Sequence, residues 1–150
     1  MPRIRIAASA DIPASATVVY GLIADYKVGH PSILPKPYFE DLLVLEGGRG
    51  AGTRIRFTMR AFGTRQTSHA RITEPDPGHV LVETVEEKPI VTTFTVAPGH
   101  DGGSRVTITT EYHRAGILGW VEAFMAPRYL RKVYVAELQQ LARVALRQGR

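Results

Sequence analysis

The stretch TRIRFTMRAFGTRQTSHARITE, residues 53–74, decides the fold class. Its first part alternates apolar residues with polar or basic ones, the period-two pattern of a strand with one buried face. The apolar residues are Ile55, Phe57 and Met59. Phe62-Gly63 is a hairpin signal that pairs Ile55 with Ala70 on the returning strand. The apolar face is predicted to be the core, because a one-residue slip would bury arginines instead.

The rest of the chain continues this organisation. Strands are predicted over residues 3–7, 40–48, 53–61, 64–74, 79–87, 88–98 and 105–113. Residues 11–26 predict a helix capped by Ser15, and residues 30–39 predict a loop with one short helical turn. Helical spacing from Leu118 to Leu146 predicts a long C-terminal helix that Pro127 kinks or splits. Short hairpins make the sheet antiparallel, so the predicted fold class is α+β.

Two further turns carry the register to the following strands. A turn at Asp76-Pro77 pairs Ala70 with Glu83, and a turn at Glu87-Lys88 pairs Glu83 with Thr92. The first turn also pairs Ile72 with Leu81. Even loop lengths place Glu83 on the inner face, and a single bulge would reverse this. The inner face then carries a polar band in an apolar surface, and its members are Gln66, Ser68, Glu83, Thr92, Thr110 and Tyr112.

Composition sets the remaining limits. A chain of 150 residues suits one domain, residues 1–150, with one core. The absence of cysteine excludes disulfides and thiolate chemistry and fits a cytoplasmic location. No apolar run approaches the roughly 20 residues of a membrane span. The net charge of +5 allows an anionic partner without establishing one.

Five stretches carry a resemblance: IPASATVVYGLIADY, PKPYFEDLLVLEGGRGAGTRIRF, PDPGHVLVE, FTVAPGHDGGSRVTI and the C-terminal helix. Nearly the whole chain resembles the START-like, Bet v 1-like (SRPBCC) superfamily, in particular its polyketide cyclase/dehydrase-type proteins. The resemblance implies a helix-grip fold, in which a curved antiparallel sheet wraps around the long C-terminal helix and leaves an internal cavity. It also implies binding of lipids, polyketides or similar apolar molecules. A minority of such proteins are aromatases, cyclases or hydrolases, so the fold alone assigns no reaction.

The predicted ligand-binding residues form an apolar and a polar group. The apolar group is Phe57, Met59, Leu81, Phe94, Ile108, Trp120 and Phe124. The polar group is Ser68, Glu83, Thr92, Thr110, Tyr112 and Tyr134. Glu83 and Tyr112 are the candidate catalytic residues, because a carboxylate or hydroxyl in an apolar cavity suits acid/base work or ligand anchoring. The alternatives for Glu83 are a place at the solvent-exposed rim or pairing with Arg131 or Tyr134 on the helix.

Other candidates are less specific. Tyr38 either offers its hydroxyl to a ligand carbonyl or is a core or rim aromatic, and Tyr26 and His30 are predicted near the cavity mouth. Trp120, Phe124 and Met125 at helical spacing suit the cavity mouth, a homodimer surface or plain core packing. No histidine falls into a metal-binding spacing, and neither a metal nor a cofactor is predicted. The glycine-rich EGGRGAGT is predicted as a structural loop between strands, because it lacks the ending of a phosphate loop.

The outer sheet face is basic. The register sets Arg54 opposite Arg71 and Arg60 opposite Arg65, an arrangement that either tolerates repulsion or serves an anionic partner. Nucleic acid is an improbable partner, because this face offers no phenylalanine or tryptophan platform. Three hypotheses result: a binding protein for a hydrophobic small molecule, a cyclase or aromatase-type enzyme using Glu83 or a tyrosine as acid/base, and a partner-binding module using the basic face.

Overall fold

A computed structural model of the chain describes residues 3–61, 63–113 and 127–148. Its strands are β1 (Arg3–Ile12), β2 (Phe39–Glu46), β3 (Arg54–Ala61), β4 (Thr64–Asp76), β5 (Val80–Val85), β6 (Ile90–Pro98) and β7 (Ser104–His113). Its α-helices are α1 (Ala16–Ala24), α2 (Gly29–Ile33) and α3 (Pro127–Gln148). The predicted order of one strand, a helical segment, six strands and a long helix is confirmed. The predicted first turn of the last helix, before Pro127, lies outside the described residues.

The seven strands form one antiparallel sheet in the order β1-β7-β6-β5-β4-β3-β2. Sequential hairpins join β2 to β7, while β1 pairs with β7 over its full length, from Arg3 opposite His113 to Ile12 opposite Ser104. This long-range pairing extends β1 to Ile12, so α1 begins at Ala16 and not at residue 11 as predicted. The architecture is the predicted α+β helix-grip fold, with a curved sheet and a long C-terminal helix.

The short helices α1 and α2 are fixed by two caps. The Ser15 hydroxyl accepts a hydrogen bond from the backbone N–H of Val18 at 3.2 Å, which confirms the predicted N-cap. The Asp25 carboxylate accepts backbone N–H bonds from Lys27, Val28 and Gly29 at 3.1 to 3.3 Å. Burial alone would raise the pKa of Asp25, but these bonds outweigh it and lower the pKa. Ser15 therefore begins α1, and Asp25 ends α1 and binds the backbone N–H groups that lead into α2.

The buried face of α3 follows the predicted helical spacing. Its buried apolar residues are Leu130, Val133, Tyr134, Leu138, Leu141, Val144 and Ala145. This face packs against β1, α1 and α2 and also covers part of the inner sheet face. Glu137 lies in the same stripe and is only 2% exposed. A carboxyl group therefore occupies a position where the spacing alone calls for an apolar residue.

Two of the three predicted registers are confirmed, and the third is displaced. Ile55 pairs with Ala70 and Glu83 with Thr92, as predicted. Between β4 and β5, however, Glu83 pairs with Ile72, whereas Ala70 was predicted. A three-residue loop follows Asp76, which pairs with Val80, and a bulge lies between Thr73 and Asp76. Each irregularity reverses which face points inward, so together they restore it and leave a displacement of two residues.

The displacement changes the neighbours of β5 on both faces. Val82 was predicted to lie beside Arg71 but is flanked by Thr73 and Thr93. Arg71 instead pairs with Thr84. The predicted row through Ala70 and Glu83 is replaced by a row that runs from Ile72 through Glu83 to Thr92 and Thr110. Glu83 nevertheless keeps its inward face.

Candidate functional site

A cleft lies between the inner face of β2–β6 and α3, with α2 at one end. It holds about 840 Å³ of space between atoms, including the part that is open to solvent. Its lining is mainly apolar, and most of its polar groups lie at the end nearest α2. The residues of this inner end are His30, Glu83, Thr92, Tyr134 and Glu137. Phe57, Met59 and Gln66 line the opposite, partly exposed end.

The predicted ligand-binding residues divide into three sets. Those that line the cleft are Phe57, Met59, Ser68, Glu83, Thr92, Phe94 and Tyr134. Leu81, Ile108, Thr110 and Tyr112 are buried but do not line it. The helical layer lies close to the Leu81 end of the sheet, as the hydrogen bond of the Tyr20 hydroxyl to the Val80 carbonyl at 3.2 Å shows. Trp120 and Phe124 lie outside the described residues.

Glu83 is held by two aromatic residues that the prediction placed elsewhere. The Tyr26 hydroxyl donates a hydrogen bond to Glu83 Oε2 at 2.5 Å, and His30 Nε2 lies 3.5 Å from the same oxygen. The Tyr26 and His30 rings are stacked with centroids 4.3 Å apart, and the edge of His30 meets Phe94. Tyr26 is fully buried and His30 is 2% exposed, so their predicted place near the cavity mouth is wrong. The stacking instead sets both beside Glu83 at the inner end.

The hydrogen-bond pattern assigns the proton positions in this group. His30 Nδ1 lies 2.7 Å from the carbonyl oxygen of Ile23, which can only accept, so Nδ1 carries hydrogen. Nε2 is therefore the ring nitrogen that faces Glu83. Burial, and then the proximity of Glu83, raises the pKa of Tyr26 well above its ordinary value. Tyr26 consequently remains a hydroxyl donor to the carboxylate.

Close packing of α1 against α2 creates this arrangement. A Cβ atom on Gly29 would lie 2.5 Å from the carbonyl oxygen of Leu22, so glycine allows the two helices to approach. The Asp25 cap then turns the chain between Tyr26 and His30. Their separation of four residues brings the two rings together. The segment contains no catalytic motif. In the sequence, only the Tyr-x-x-x-His spacing could have indicated that Tyr26 and His30 lie together.

Glu137 is the second carboxyl group of the inner end, and the sequence prediction missed it. Its Oε2 is buried without a hydrogen-bond partner in the described part of the chain. Burial, and then the nearby Glu83, raises the pKa of Glu137 well above its ordinary value. The available signal was a charged residue between Tyr134 and Leu138 in an otherwise apolar helical stripe.

Hydroxyl groups link the sheet to α3 beside the two carboxyl groups. The hydroxyls of Thr92 and Thr110 are 2.8 Å apart, and Thr110 is also hydrogen-bonded to the Tyr134 hydroxyl. Burial raises the pKa of Tyr134, which keeps that hydroxyl protonated. Thr110 therefore supports the cleft from behind and does not line it. The inner end as a whole offers hydroxyl, imidazole and carboxyl groups for hydrogen bonding or proton transfer.

The outer sheet face is more neutral than the sequence indicates. The predicted opposition of Arg54 to Arg71 is confirmed, and Glu86 lies 2.8 Å from Arg54 Nε and 3.3 Å from Arg71 Nε. Arg60 and Arg65 likewise oppose each other, and both form ion pairs with Glu40. One glutamate thus bridges each arginine pair. This pairing shows how the repulsion is tolerated without an external anion.

The whole architecture has known counterparts. Residues 3–146 match the family described as "Polyketide cyclase / dehydrase and lipid transport". The chain belongs to this family. The match covers the sheet, the short helices and nearly all of α3, and it confirms the resemblance inferred from the sequence. No curated protein matches the chain by sequence.

Solved structures of the family's superfamily share the fold. The chain is similar to KanY protein (ms6282), with 29% identity, a TM-score of 0.82 and coverage of 97% of this chain and 99% of that one. It is also similar to the Zhui aromatase/cyclase from Streptomyces sp. R1128, at 19% identity, a TM-score of 0.76 and coverage of 99% and 97%. A START superfamily protein from Mycobacterium smegmatis gives 11% identity, a TM-score of 0.75 and coverage of 96% and 98%. At the lower identities the likeness concerns the fold alone.

None of the helices within residues 3–61, 63–113 and 127–148 is both long and apolar enough to cross a bilayer.

Proposed function

We propose that this protein binds a hydrophobic small molecule, such as a lipid or polyketide, in the cleft between the sheet and α3. The observation that carries the proposal is a mainly apolar cleft between the sheet and α3, with most of its polar groups at one buried end. Sites for small organic ligands commonly have this design, because apolar walls supply affinity and a few placed polar groups supply orientation. Membership of a family described as including lipid transport supports the same class of ligand.

The two ends of the cleft would contact different parts of the ligand. Phe57, Met59 and Val85 supply apolar surface that a ligand would remove from water, worth about 25 cal/mol for each Å² buried. Glu83 and Thr92 would meet the polar part of the ligand. A molecule that is apolar along its length and polar at one end fits this distribution.

The proposal is tested by blocking the cleft at Ser68. Ser68 is buried and lines the cleft, whereas the adjacent Thr67 is exposed on the other sheet face. We expect Ser68→Phe to abolish binding of a hydrophobic fluorescent probe. Thr67→Phe, the matched control, should bind the probe like the unmodified protein. Native mass spectrometry of the purified protein would identify a co-purified ligand. Equal probe binding by both variants, or no binding by the unmodified protein, would contradict the proposal.

A second function, of the cyclase or aromatase type, is favoured by the contacts of Glu83. This carboxyl group lies at the inner end of an apolar cleft, 2.5 Å from the Tyr26 hydroxyl and 3.5 Å from His30 Nε2. As a carboxylate it would remove a proton from the carbon next to a ligand carbonyl. The resulting enolate would attack a second carbonyl of the same chain, and Glu83 would return its proton to the alkoxide. Loss of water from that product completes a dehydration.

Glu83→Gln separates the two functions. If Glu83 is a general base, we expect the variant to lose turnover of a poly-β-ketone substrate while ligand affinity stays nearly unchanged. If Glu83 only anchors the ligand, affinity should fall instead. Glu46→Gln is the matched control, because Glu46 is exposed at the end of β2 and remote from the cleft lining. Full turnover by Glu83→Gln would exclude the catalytic role.

A further inference from the structure

The inner end of the cleft holds two carboxyl groups supplied by different layers of the fold. Glu83 comes from β5 in the sheet, and Glu137 comes from α3, which packs against it. Glu83 side-chain exposure is 16%, and Glu137 is 2% exposed. Two carboxyl groups in one partly dry cleft disfavour each other's ionised form, because their mutual repulsion is poorly screened there. Such a pair is favourable when one member holds a proton or when a cation lies between them.

The contacts of the two groups leave acceptors free on the cleft side. Tyr26 and His30 both approach Glu83 through Oε2, and no other described contact occupies its Oε1. Glu137 Oε2 has no hydrogen-bond partner within the described residues. The basic residues closest to Glu137 on its own helix, Arg131 and Lys132, lie on the exposed face of α3. The inner end therefore offers carboxyl oxygens from both the sheet and α3 to the polar end of a ligand.

We propose that the cleft takes an apolar molecule ending in a protonated amine, with the ammonium group held between Glu83 and Glu137; this inference rests on the proposed binding function. An ammonium group has three N–H donors and no acceptor. Glu83, Glu137 and the Thr92 hydroxyl line the same end of the cleft and could receive one each. A buried ion pair of this kind is favourable only when hydrogen bonds satisfy its remaining polar groups, and these acceptors meet that condition.

Other polar ends fit less well. A hydroxyl group can donate one hydrogen bond to Glu83 and accept one from protonated Glu137, but it brings no positive charge to balance the carboxylate. A carboxylate would add a third acidic group to the inner end and be repelled. Burial already raises the pKa of Glu137 well above its ordinary value, which reflects the cost of an unpaired charge at that position. An ammonium ligand would remove this cost, since it brings the missing positive charge.

The inference is tested with three octyl probes that share one apolar chain: octylamine, octanol and octanoate. Binding is measured at pH near 7 and low salt by displacement of a hydrophobic fluorescent probe. We expect octylamine to bind about ten times more tightly than octanol, because hydrogen bonds to charged groups are about twice as strong as neutral ones. Octanoate should bind most weakly. Equal binding of octylamine and octanol would overturn the inference but leave the proposed binding function intact.

A variant of Glu137, with Glu46→Gln as its control, tests where the ammonium group binds. In Glu137→Gln the preference for octylamine over octanol should fall to about two-fold or less. The octanol affinity of the variant should stay within about two-fold of that of the unmodified protein. A loss of octanol binding would indicate a damaged cleft and overturn the assignment. Glu46→Gln, with its exposed side chain, should keep the full preference. An unchanged preference in Glu137→Gln would overturn the placement of the ammonium group. If none of the three probes binds, the proposed binding function itself fails.

Discussion

Replacement of Glu137 by glutamine should flatten the dependence of folding stability on pH. Glu137 is buried on α3 and faces Glu83 from β5 and Tyr134 one turn earlier on its own helix, while His30 of α2 and Tyr26 complete the cluster. Burial, and then Glu83, raises its pKa in the folded protein above the ordinary value of 4.5. Between these two values the folded state holds a proton that the unfolded state has lost. The stabilisation is therefore complete below pH 4.5 and is lost as the pH rises through the folded-state pKa.

The size of the effect is set by one proton. While Glu137 is protonated in the folded state and ionised in the unfolded state, each pH unit lowers the free energy of unfolding by up to about 1.4 kcal/mol. Across about two pH units the loss reaches roughly 2.7 kcal/mol. Glutamine has nearly the same shape and cannot titrate. Its variant should therefore be relatively more stable toward neutral pH, whatever constant offset the amide introduces.

Urea denaturation at about pH 5, 6 and 7 measures this slope. The informative quantity is the difference in unfolding free energy between the unmodified protein and Glu137→Gln, because the two proteins differ in one titratable side chain. We expect Glu137→Gln to become more stable relative to the unmodified protein as the pH rises. Glu46→Gln, with an exposed side chain, should run parallel to the unmodified protein. Parallel curves for Glu137→Gln would refute the assigned state of Glu137.

The remaining predictions concern the residues that build the inner end. Tyr26→Phe removes the 2.5 Å hydrogen bond to Glu83 and should lower the free energy of unfolding by about 1–3 kcal/mol in urea denaturation; an unchanged midpoint would show that the bond adds nothing to stability. Gly29→Ala would place a Cβ atom 2.5 Å from the Leu22 carbonyl oxygen and should lower the melting temperature. Its control is Gly21→Ala, which meets nothing closer than the Arg49 guanidinium at 3.7 Å and should stabilise α1 by up to about 1 kcal/mol. Equal melting temperatures for the two variants would contradict the close helix contact.

The β3–β4 hairpin shows what the sequence determines well. Ile55, Phe57 and Met59 alternate with arginines and Thr58, so only one parity buries the apolar face, and the pairing continues in one register from Ala61–Thr64 to Arg54–Arg71. The stripe on α3 was equally readable, because helical spacing separates its buried and exposed residues. In both elements one face is apolar and the other polar, so an arrangement that exposed the apolar face and buried the polar one would be costly.

The β4–β5 connection has a register that the sequence pattern does not determine. The sequence at Thr73–Asp76 contains a proline and two acidic residues but no alternation that marks a bulge. The structure combines that bulge with an odd-length loop, and the two cancel in parity. Glu83 therefore points inward, while its neighbour is Ile72 and not Ala70. Hydrophobic alternation specifies a face, but pairs two residues apart share that face and are not distinguished by it.

The group around Glu83 could not be read from local patterns, because three distant segments supply it. Tyr26 comes from the α1–α2 turn and the adjoining α2 supplies His30, whereas Glu83 comes from β5 and Glu137 from the last helix. Each contact depends on how the helical layer packs onto the sheet. One clue was nevertheless available: a glutamate in a buried helical stripe must find a partner, take up a proton or face a cavity, because an isolated buried charge is too costly. Glu137 faces the cleft with an unpartnered oxygen, and Glu83 reaches the same end of the cleft from β5. Two carboxyl groups at one end of an apolar cleft favour a cation there, which the fold alone does not indicate.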